Sequence, residues 1–190
     1  MKKVESYKHV LLDFDGTICN LIVDWKSMKV DLVSALPKEV IGDNTKLLNI
    51  INSVYNHGSS ADFLKLHQII KKYEQPNDEV IIENINSVLL NSLTSFIIVS
   101  NNLQSTIILA LKEIMPLSFC ERIIGVDNVK NTKPSKAPFD KVLEHTANHD
   151  LSDYLFVGDS EIDEQFAFNC GIDFIHINNY EDYLLRNVGT

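Results

Sequence analysis

Two aspartates, two residues apart, end the first apolar run of the chain. In VLLDFDGTIC, residues 10–19, three apolar residues lead directly into Asp13 and Asp15. Alternate residues of an extended strand point to the same side, so both carboxylates can face one site. Two like charges this close are unfavourable unless one group keeps its proton or a cation neutralises them. The pair therefore indicates acid–base or metal-assisted chemistry.

Other polar residues follow later apolar runs. Ser100 and Asn101 come directly after one run, Asp159 and Asp163 come after another, and Lys133 precedes that second run. The carboxyl ends of parallel strands meet at one edge of a sheet, where open α/β folds bind ligands. We therefore expect these side chains to converge with the first two aspartates.

The elements that position these residues alternate in the second half of the chain. Short runs of apolar, β-branched and aromatic residues bounded by turn residues are predicted as strands, and stretches with helical spacing of apolar residues lie between them. Such alternation is typical of a parallel sheet covered by helices on both faces. The predicted strands are residues 9–12, 95–99, 122–125, 154–157 and 174–177, and the helices between them are 105–115, 138–149 and 161–170.

The first half of the chain reads differently. From about residue 20 to residue 92 the pattern predicts helices and no strand: residues 24–36, 39–55, 61–73 and 77–90. A helical insertion directly after the first strand would lie over the carboxyl edge of the sheet, above the polar residues.

Four short stretches of the chain resemble, in order, the motifs of the haloacid dehalogenase superfamily, in its phosphatase branch. They are VLLDFDGT, IIVSNN, Lys133-Pro134 and FVGDSEID. The resemblance covers residues 8–178, and within the superfamily the chain is similar to phosphoglycolate phosphatases and their relatives. It implies a Rossmann-like α/β core with a five-stranded parallel sheet in the order 3-2-1-4-5. It also implies an inserted α-helical cap of the first subclass, with the core at residues 1–19 and 92–190 and the cap at residues 20–91.

The resemblance also implies roles for named residues. Asp13 would be the nucleophile and Asp15 the general acid and base, with Ser100 and Lys133 completing the catalytic set. The phosphoryl group would be held by Gly16, Thr17, Ser100, Asn101 and Lys133. A Mg²⁺ site would comprise Asp13, Asp15 through its backbone carbonyl, Asp159 and, behind the direct ligands, Asp163.

Charge supports the expectation of a divalent cation. The four aspartates and Lys133 carry a formal charge of −3 together, and a phosphate monoester dianion would bring the site to −5. Without a cation such a site would repel its substrate. Mg²⁺ favours a few carboxylates plus substrate phosphate as its ligands.

These observations predict a Mg²⁺-dependent phosphatase that hydrolyses a small phosphorylated metabolite through an aspartyl-phosphate intermediate. The alternatives left open are a phosphomutase of the β-phosphoglucomutase type and a non-catalytic binding or regulatory protein on the same fold. A phosphonate hydrolase would need a Schiff-base lysine in the cap, for which Lys26 and Lys29 are candidates. A dehalogenase is disfavoured because carbon–halogen cleavage needs no acid at Asp15.

Composition excludes several other classes. The 190 residues carry a formal net charge of −9, which argues against nucleic-acid binding. No apolar run approaches the length of a membrane span and the N-terminus lacks a signal-peptide pattern, so no membrane association is expected. Three widely spaced cysteines predict a reducing, cytoplasmic location. The pattern does not indicate an oligomeric state.

Several single residues carry weaker signals. Trp25, at the start of the first insertion helix, either packs the cap against the core or lines the substrate pocket. Lys65 and His67 are cap residues that could meet a substrate, although a surface position is the simpler reading. His145 and His149 are spaced as two metal ligands on one helix would be, but no third ligand is evident.

Overall fold

The computed structural model describes residues 3–44 and 46–187. Its strands, in chain order, are β1 (His9–Leu12), β2 (Asn20–Leu21), β3 (Ile82–Glu83), β4 (Phe96–Val99), β5 (Cys120–Ile124), β6 (Tyr154–Gly158) and β7 (Asp173–His176). Its helices are α1 (Trp25–Ala35), α2 (Lys38–Ile41), α3 (Leu47–His57), α4 (Ser60–Glu74), α5 (Ser87–Ser92), α6 (Gln104–Ile114), α7 (Ala137–Thr146), α8 (Glu161–Cys170) and α9 (Tyr180–Asn187).

Five parallel strands form the central sheet in the order β5-β4-β1-β6-β7. Numbered along the chain, these strands have the order 3-2-1-4-5, so the predicted fold class is confirmed. The central strand, β1, is flanked by β4 and β6, and Leu11 and Leu12 at its end are fully buried. All three strands end at the same edge of the sheet.

Both faces of the sheet are covered, because successive strand residues point to opposite sides. Leu12 packs in one cluster with residues of α5, α6 and α9, including Leu89, Ile107 and Tyr180. Its neighbour Leu11 packs in a second cluster with residues of α7 and α8. The sheet therefore carries continuous apolar strands between two helical layers.

A third apolar cluster joins α1, α3 and α4 over the carboxyl edge of the sheet. Met28, Ile50 and Ile70 are buried in this cluster, and Leu103 and Val126 join it from the segments that follow β4 and β5. We call residues 25–74, which contain α1–α4, the helical unit. Its apolar face closes the space above the strand ends.

Two predictions for the first half of the chain are wrong. Residues 39–55 form two helices, because α2 ends at Gly42, whose φ of +61° a helix cannot continue. Residues 77–90 contain a strand, since β3 pairs antiparallel with β2. Asn77, Asp78 and Asn84 have positive φ and interrupt any helix there. Strands of two residues are too short to show the alternation by which strands are recognised in a sequence.

Some residues of the predicted helical insertion pack against the sheet. Leu21 of β2 and Leu89 of α5 pack in the same cluster as Leu12, on the sheet side. The division into a core and a cap at residues 19/20 and 91/92 stays a prediction. Helix α7 ends at Thr146, three residues before the predicted end, with Ala147 in the left-handed region.

Among the described residues, no helix combines the length and the apolar character that crossing a membrane requires. Cys19, Cys120 and Cys170 are present as free thiols.

Candidate active site

A cavity of about 300 Å³ lies between the carboxyl edge of the sheet and the helical unit. The structure brings together seven of the nine predicted site residues in its wall: Asp13, Asp15, Ser100, Asn101, Lys133, Asp159 and Asp163. They come from three different strand ends and from the loop after β5. The predicted convergence at one sheet edge is therefore present in the tertiary structure.

The first two aspartates reach the cavity because the chain turns sharply after β1. Phe14, between them, points into the core and is fully buried. The Phe14 amide donates to Asp13 Oδ1 at 2.7 Å, and the Leu21 amide donates to Asp15 Oδ1 at 2.7 Å. These bonds hold both carboxylates at the edge of the sheet.

Gly16 permits a close approach between this turn and the end of β6. Its φ is +86°, and a Cβ atom built on it would lie 2.3 Å from Asp159 Oδ2. Only glycine combines this conformation with this lack of side-chain volume. Gly16 therefore acts by admitting Asp159, and it does not line the cavity itself.

Thr17, the other predicted site residue outside the cavity wall, is buried. Its hydroxyl has no hydrogen-bond partner within the part of the chain that the structure describes. Its predicted contact with a phosphoryl group therefore stays a prediction.

Lys133 is the positive centre of the site. Its Nζ lies 2.9 Å from Asp13 Oδ1 and 2.6 Å from Asp163 Oδ1, and its side chain is almost fully buried. The same ammonium lies 5.0 Å from the centre of the Phe156 ring. A buried ammonium held between two carboxylates is fixed in position and in charge.

The protonation of these three groups is linked. Burial alone would lower the pKa of Lys133, but Asp13 and Asp163 outweigh it and raise that pKa. Burial likewise opposes ionisation of Asp163, yet Lys133 and Ser160 hold its pKa below the usual range. For Asp13, burial dominates over the attraction of Lys133 and raises the pKa to about 7.

Asp15 has a different environment. Burial raises the pKa of its carboxyl group, against the lowering effect of the Leu21 amide, and the charge of Asp159 raises it further. A carboxyl group that keeps its proton more readily can serve as a general acid.

Helix α8 fixes Asp163. Ser160 is the N-cap of this helix, and its side chain and amide both donate to Asp163 Oδ2, at 2.7 and 3.1 Å. Since Lys133 binds the other oxygen, both oxygens of Asp163 are engaged. Gly158 lets the carboxylate lie this close, because a Cβ atom there would be 2.6 Å from the Asp163 carboxyl carbon.

Asn101 holds the loop that carries Lys133. Its side-chain oxygen accepts from the Lys133 amide at 2.9 Å, and its Nδ2 donates to the Lys133 carbonyl at 3.3 Å. Asn52 of α3 accepts from the neighbouring Thr132 amide at 2.9 Å. The position of Lys133 thus depends on β4 and on the helical unit together.

Glu74 was missed by the sequence reasoning. This last residue of α4 lines the cavity and is 2 % exposed. It accepts hydrogen bonds from Asn102 Nδ2 at 2.9 Å, the Leu103 amide at 3.1 Å and Thr106 Oγ1 at 2.6 Å. It therefore anchors the chain at the start of α6, while Asp127 Oδ1 accepts from the first helical amide, that of Gln104, at 2.9 Å.

A local signal for Glu74 exists in the sequence. An acidic residue at the C-terminal end of a helix is unfavourable against the helix dipole, and Pro76 marks that end. The misfit indicates that a partner outside α4 holds the carboxylate. Asn102, one of the groups that donate to Glu74, connects Glu74 to the end of β4, because Ser100 Oγ donates to Asn102 Oδ1 at 2.9 Å.

The site residues fit a divalent cation. One oxygen from each of Asp13, Asp159 and Asp163 lies within 4.8 Å of the others. Such a group of hard carboxylate oxygens suits Mg²⁺. Because Lys133 and Ser160 already engage Asp163, the remaining carboxylates of the group, Asp13 and Asp159, are the ones available as direct ligands.

The weaker sequence candidates do not contribute to the cavity, with one exception. Trp25 lines it. The side chains of Lys26, Lys29, Lys65 and His67 are not part of the described cavity wall, and His67 is bound to the Tyr55 hydroxyl at 2.7 Å. His145 and His149 do not share a helix, because α7 ends at Thr146.

Comparisons with known proteins agree with this geometry. The sequence pattern of the haloacid dehalogenase-like hydrolases matches residues 10–177. A comparison with curated proteins found no match. The resemblance that the four motifs indicated is therefore confirmed by the family pattern.

Solved structures share the fold at low sequence identity. A hydrolase of the haloacid dehalogenase superfamily, subfamily IA, variant 1, from Geobacter sulfurreducens PCA has a TM-score of 0.55 at 21 % identity, covering 96 % of this chain and 99 % of that one. A predicted phosphoglycolate phosphatase from Haemophilus somnus 129PT has 0.59 at 17 %, covering 92 % and 89 %. CbbY from Rhodobacter sphaeroides, solved in complex with phosphate, has 0.60 at 12 %, covering 90 % and 85 %.

The four motifs, the strand order and the family pattern over most of the chain lead to one conclusion. The chain belongs to the haloacid dehalogenase-like hydrolases.

Proposed function

We propose that this hydrolase is a Mg²⁺-dependent phosphatase that cleaves a small phosphorylated metabolite through an aspartyl-phosphate intermediate. The observation that carries the proposal is the position of Asp13. Its carboxylate lies in the cavity wall, 2.9 Å from the ammonium of Lys133, with Asp15 beside it. A carboxylate needs no base to become a nucleophile, but it needs positive charge nearby to approach a phosphate anion.

In the first step, an Asp13 oxygen forms a bond to phosphorus as the bond to the ester oxygen breaks. Asp15 donates its proton to that leaving oxygen, which departs as an alcohol. In the second step, Asp15 takes a proton from water, whose oxygen attacks phosphorus. The bond between phosphorus and Asp13 then breaks, releasing inorganic phosphate and restoring both carboxyl groups.

The raised pKa of Asp15 suits this double role, since the group must hold a proton before the first step. Asp13 has the opposite requirement and must be ionised. Lys133 favours its ionised form, against burial. In the metal-free site burial raises the pKa of both carboxyl groups, that of Asp13 to about 7. The bound cation would therefore be needed to favour ionised Asp13 beside protonated Asp15.

The phosphoryl oxygens would be held by Lys133, Ser100 and a backbone amide after Asp13. The Gly16 and Thr17 amides donate to the Cys19 and Phe14 carbonyls, at 2.8 and 3.3 Å, so these two residues would contribute by shaping the loop. Asn101 contributes by fixing the Lys133 loop. Phosphoryl transfer depends mainly on such positioning and charge stabilisation.

Asp13, Asp159 and the backbone carbonyl of Asp15 would hold Mg²⁺, with Asp163 behind them and oriented by Lys133 and Ser160. When bound, the cation supplies positive charge that favours ionised Asp13 and offsets the charge of the phosphoryl group.

The helical unit would serve as the cap that excludes water while the intermediate forms. Two structural neighbours, one described as a predicted phosphoglycolate phosphatase and one solved in complex with phosphate, support phosphate chemistry for this fold. A cytoplasmic location belongs to the same proposal, supported by the three free thiols.

The test is hydrolysis of p-nitrophenyl phosphate by the purified chain, with Mg²⁺, with EDTA, and with Asp13→Asn. We expect turnover that requires Mg²⁺ and falls by a factor of about 10³ or more in the variant, because the nucleophile is lost. Acid quenching of the wild-type reaction should trap a phosphorylated Asp13, found by mass spectrometry. Turnover that survives Asp13→Asn would contradict the assignment of the nucleophile.

A phosphomutase would give isomerised sugar phosphate in place of inorganic phosphate, so product analysis with a hexose phosphate separates the two. No described contact favours that alternative. A Schiff-base mechanism is not supported either, because Lys26 and Lys29 are outside the described cavity wall.

A further inference from the structure

We infer that the substrate's organic group, the part that leaves with the ester oxygen, is uncharged and largely apolar. This inference rests on the proposed phosphatase function and adds the class of substrate to it. The evidence is the contrast between the two ends of the cavity: charged groups lie at the sheet edge, and apolar side chains lie opposite them.

The helical unit supplies the apolar end. Its contribution to the cavity wall comes from α1, α3 and α4 and consists mainly of Trp25, Met28, Leu47, Leu48, Ile51 and Ile70. Met28, Ile51 and Ile70 are at most 3 % exposed, so they present fixed surfaces. A substrate whose phosphate lies on Asp13 would direct its organic group toward these side chains.

The same wall lacks a partner for a negatively charged substrate. Lys133 is the one cation among the described residues that line the cavity, and Asp13 and Asp163 already engage it. The helical unit adds a carboxylate, Glu74, whose three described donors all come from the segment after β4. A second acidic group on the substrate would be buried without a counter-charge, which is strongly unfavourable.

The size of the cavity limits the organic group to a few carbon atoms or one ring. Its volume of about 300 Å³ is at the lower end of the range for small-molecule sites. An apolar cavity of about 150 Å³ already accommodates a benzene ring. A phosphate together with a branched alkyl or aryl group therefore fits, whereas a phosphorylated oligosaccharide or nucleotide is too large and too polar.

These features distinguish the present cavity from one made for phosphoglycolate, the substrate that the name of one structural neighbour implies. Phosphoglycolate carries a carboxylate two bonds from the ester oxygen, where this cavity offers apolar side chains. Isobutyl phosphate has the same shape, with an isopropyl group in place of the carboxylate. The two esters form a matched pair that differs mainly in charge.

The experiment compares kcat/KM for these two esters with the wild-type chain and Mg²⁺, beside p-nitrophenyl phosphate. We expect isobutyl phosphate to be preferred over phosphoglycolate by about tenfold or more, since an unpaired buried carboxylate costs at least 1.4 kcal/mol. Equal rates for the pair, or a preference for phosphoglycolate, would overturn the inference while leaving the phosphatase function intact.

A binding measurement separates the inference from the proposed chemistry. The phosphonates 3-methylbutylphosphonate and 3-phosphonopropanoate replace the ester oxygens of the two substrates by methylene groups and cannot be hydrolysed as esters. Trp25 is the only tryptophan of the chain and lines the cavity, so its fluorescence reports binding. We expect the 3-methylbutyl compound to bind about tenfold more tightly.

If none of the esters is hydrolysed but this binding preference is present, the ligand class stands and the phosphatase function fails. If 3-phosphonopropanoate binds as well as its apolar partner, or if neither binds, the inference is wrong whatever the rates are.

A matched pair of variants on α3 tests the role of the wall directly. Leu48 is half-buried in the cavity wall, and its neighbour Asn49 is exposed. Leu48→Lys should shift the kcat/KM ratio toward phosphoglycolate by about tenfold, because it supplies the missing cation. Asn49→Lys adds the same charge outside the cavity and should leave the ratio unchanged. Equal shifts in both variants would contradict the assignment of this wall.

Discussion

Glu74 and Asn102 are joined by a hydrogen bond of 2.9 Å between the end of α4 and the segment that follows β4. In its ionised form the Glu74 carboxylate only accepts hydrogen bonds, so it fixes the Asn102 amide with the nitrogen toward Glu74 and the oxygen toward Ser100. The helical unit is thus connected, through two side chains, to a residue of the proposed phosphoryl site. Glu74 acts on Ser100 by positioning it.

Removing Glu74 should destabilise the fold. In Glu74→Ala, the buried Asn102 amide, the Leu103 N–H and the Thr106 hydroxyl lose their acceptor. We expect a loss of about 2–4 kcal/mol in the free energy of unfolding, measured by urea denaturation. Glu79→Ala is the control, because Glu79 is exposed, and it should change the value by less than about 0.5 kcal/mol. Similar losses in both variants would show that Glu74 has no special role.

The stability of the protein should depend on pH through Glu74. Burial raises its pKa from 4.5 to about 7, against the lowering effect of its three donors. Between these values the native state holds a proton that the unfolded state releases, so stability decreases as pH rises from about 4.5 to 7. The stabilising contribution is complete below pH 4.5 and is lost above pH 7.

Glu74→Gln cannot titrate and should lack this component. From pH 4.5 to 7, we expect the unfolding free energy of the wild type, relative to that of the variant, to decrease by about 3 kcal/mol. Unfolding in urea at half-unit pH steps measures it. A difference that is constant from pH 4.5 to 7.5 would contradict a titrating Glu74, and Glu79→Gln provides the baseline.

Two glycines with positive φ offer a test of the approach between β1 and β6. A Cβ atom on Gly16 would clash with Asp159, whereas one on Gly42 would meet nothing within 4 Å. Gly16→Ala should abolish Mg²⁺-dependent hydrolysis, because Asp159 is displaced. Gly42→Ala carries backbone strain of about 1–3 kcal/mol but should keep its activity per folded molecule. Hydrolysis and thermal denaturation are measured for both variants. An active Gly16→Ala would show that hydrolysis does not depend on the close approach of Gly16 and Asp159.

Replacing the proposed nucleophile should stabilise the metal-free protein. Ionised Asp13 is unfavourable in its buried position, since burial raises its pKa to about 7. Asn has a similar shape and no charge, and Lys133 keeps its pair with Asp163. At pH 8 with EDTA, Asp13→Asn should gain about 1–3 kcal/mol in unfolding free energy while losing hydrolysis. Asp43→Asn, at an exposed position, serves as the control, and a destabilised Asp13→Asn would contradict the argument.

The sequence by itself determined the sheet and its chemical edge. Alternating apolar strands and helices predict a parallel sheet, and the polar residues after each strand must then meet at one edge, because strand direction and alternation dictate it. Asp13, Asp15, Ser100, Lys133, Asp159 and Asp163 were placed by this reasoning and lie together in the structure. This reasoning did not predict the two-residue strands β2 and β3, because these strands pair with each other across about sixty residues of sequence.

Only the tertiary structure decided what lies opposite that edge. The spacing of apolar residues in α1, α3 and α4 shows that each helix has a buried face, but it does not show whether that face meets other helices or a cavity. The hydrogen bonds of the buried Glu74 carboxylate likewise come from donors in the segment after β4, which is distant in sequence. Contacts between separate elements depend on how the helices cross and pack, and no local pattern of residues specifies that geometry.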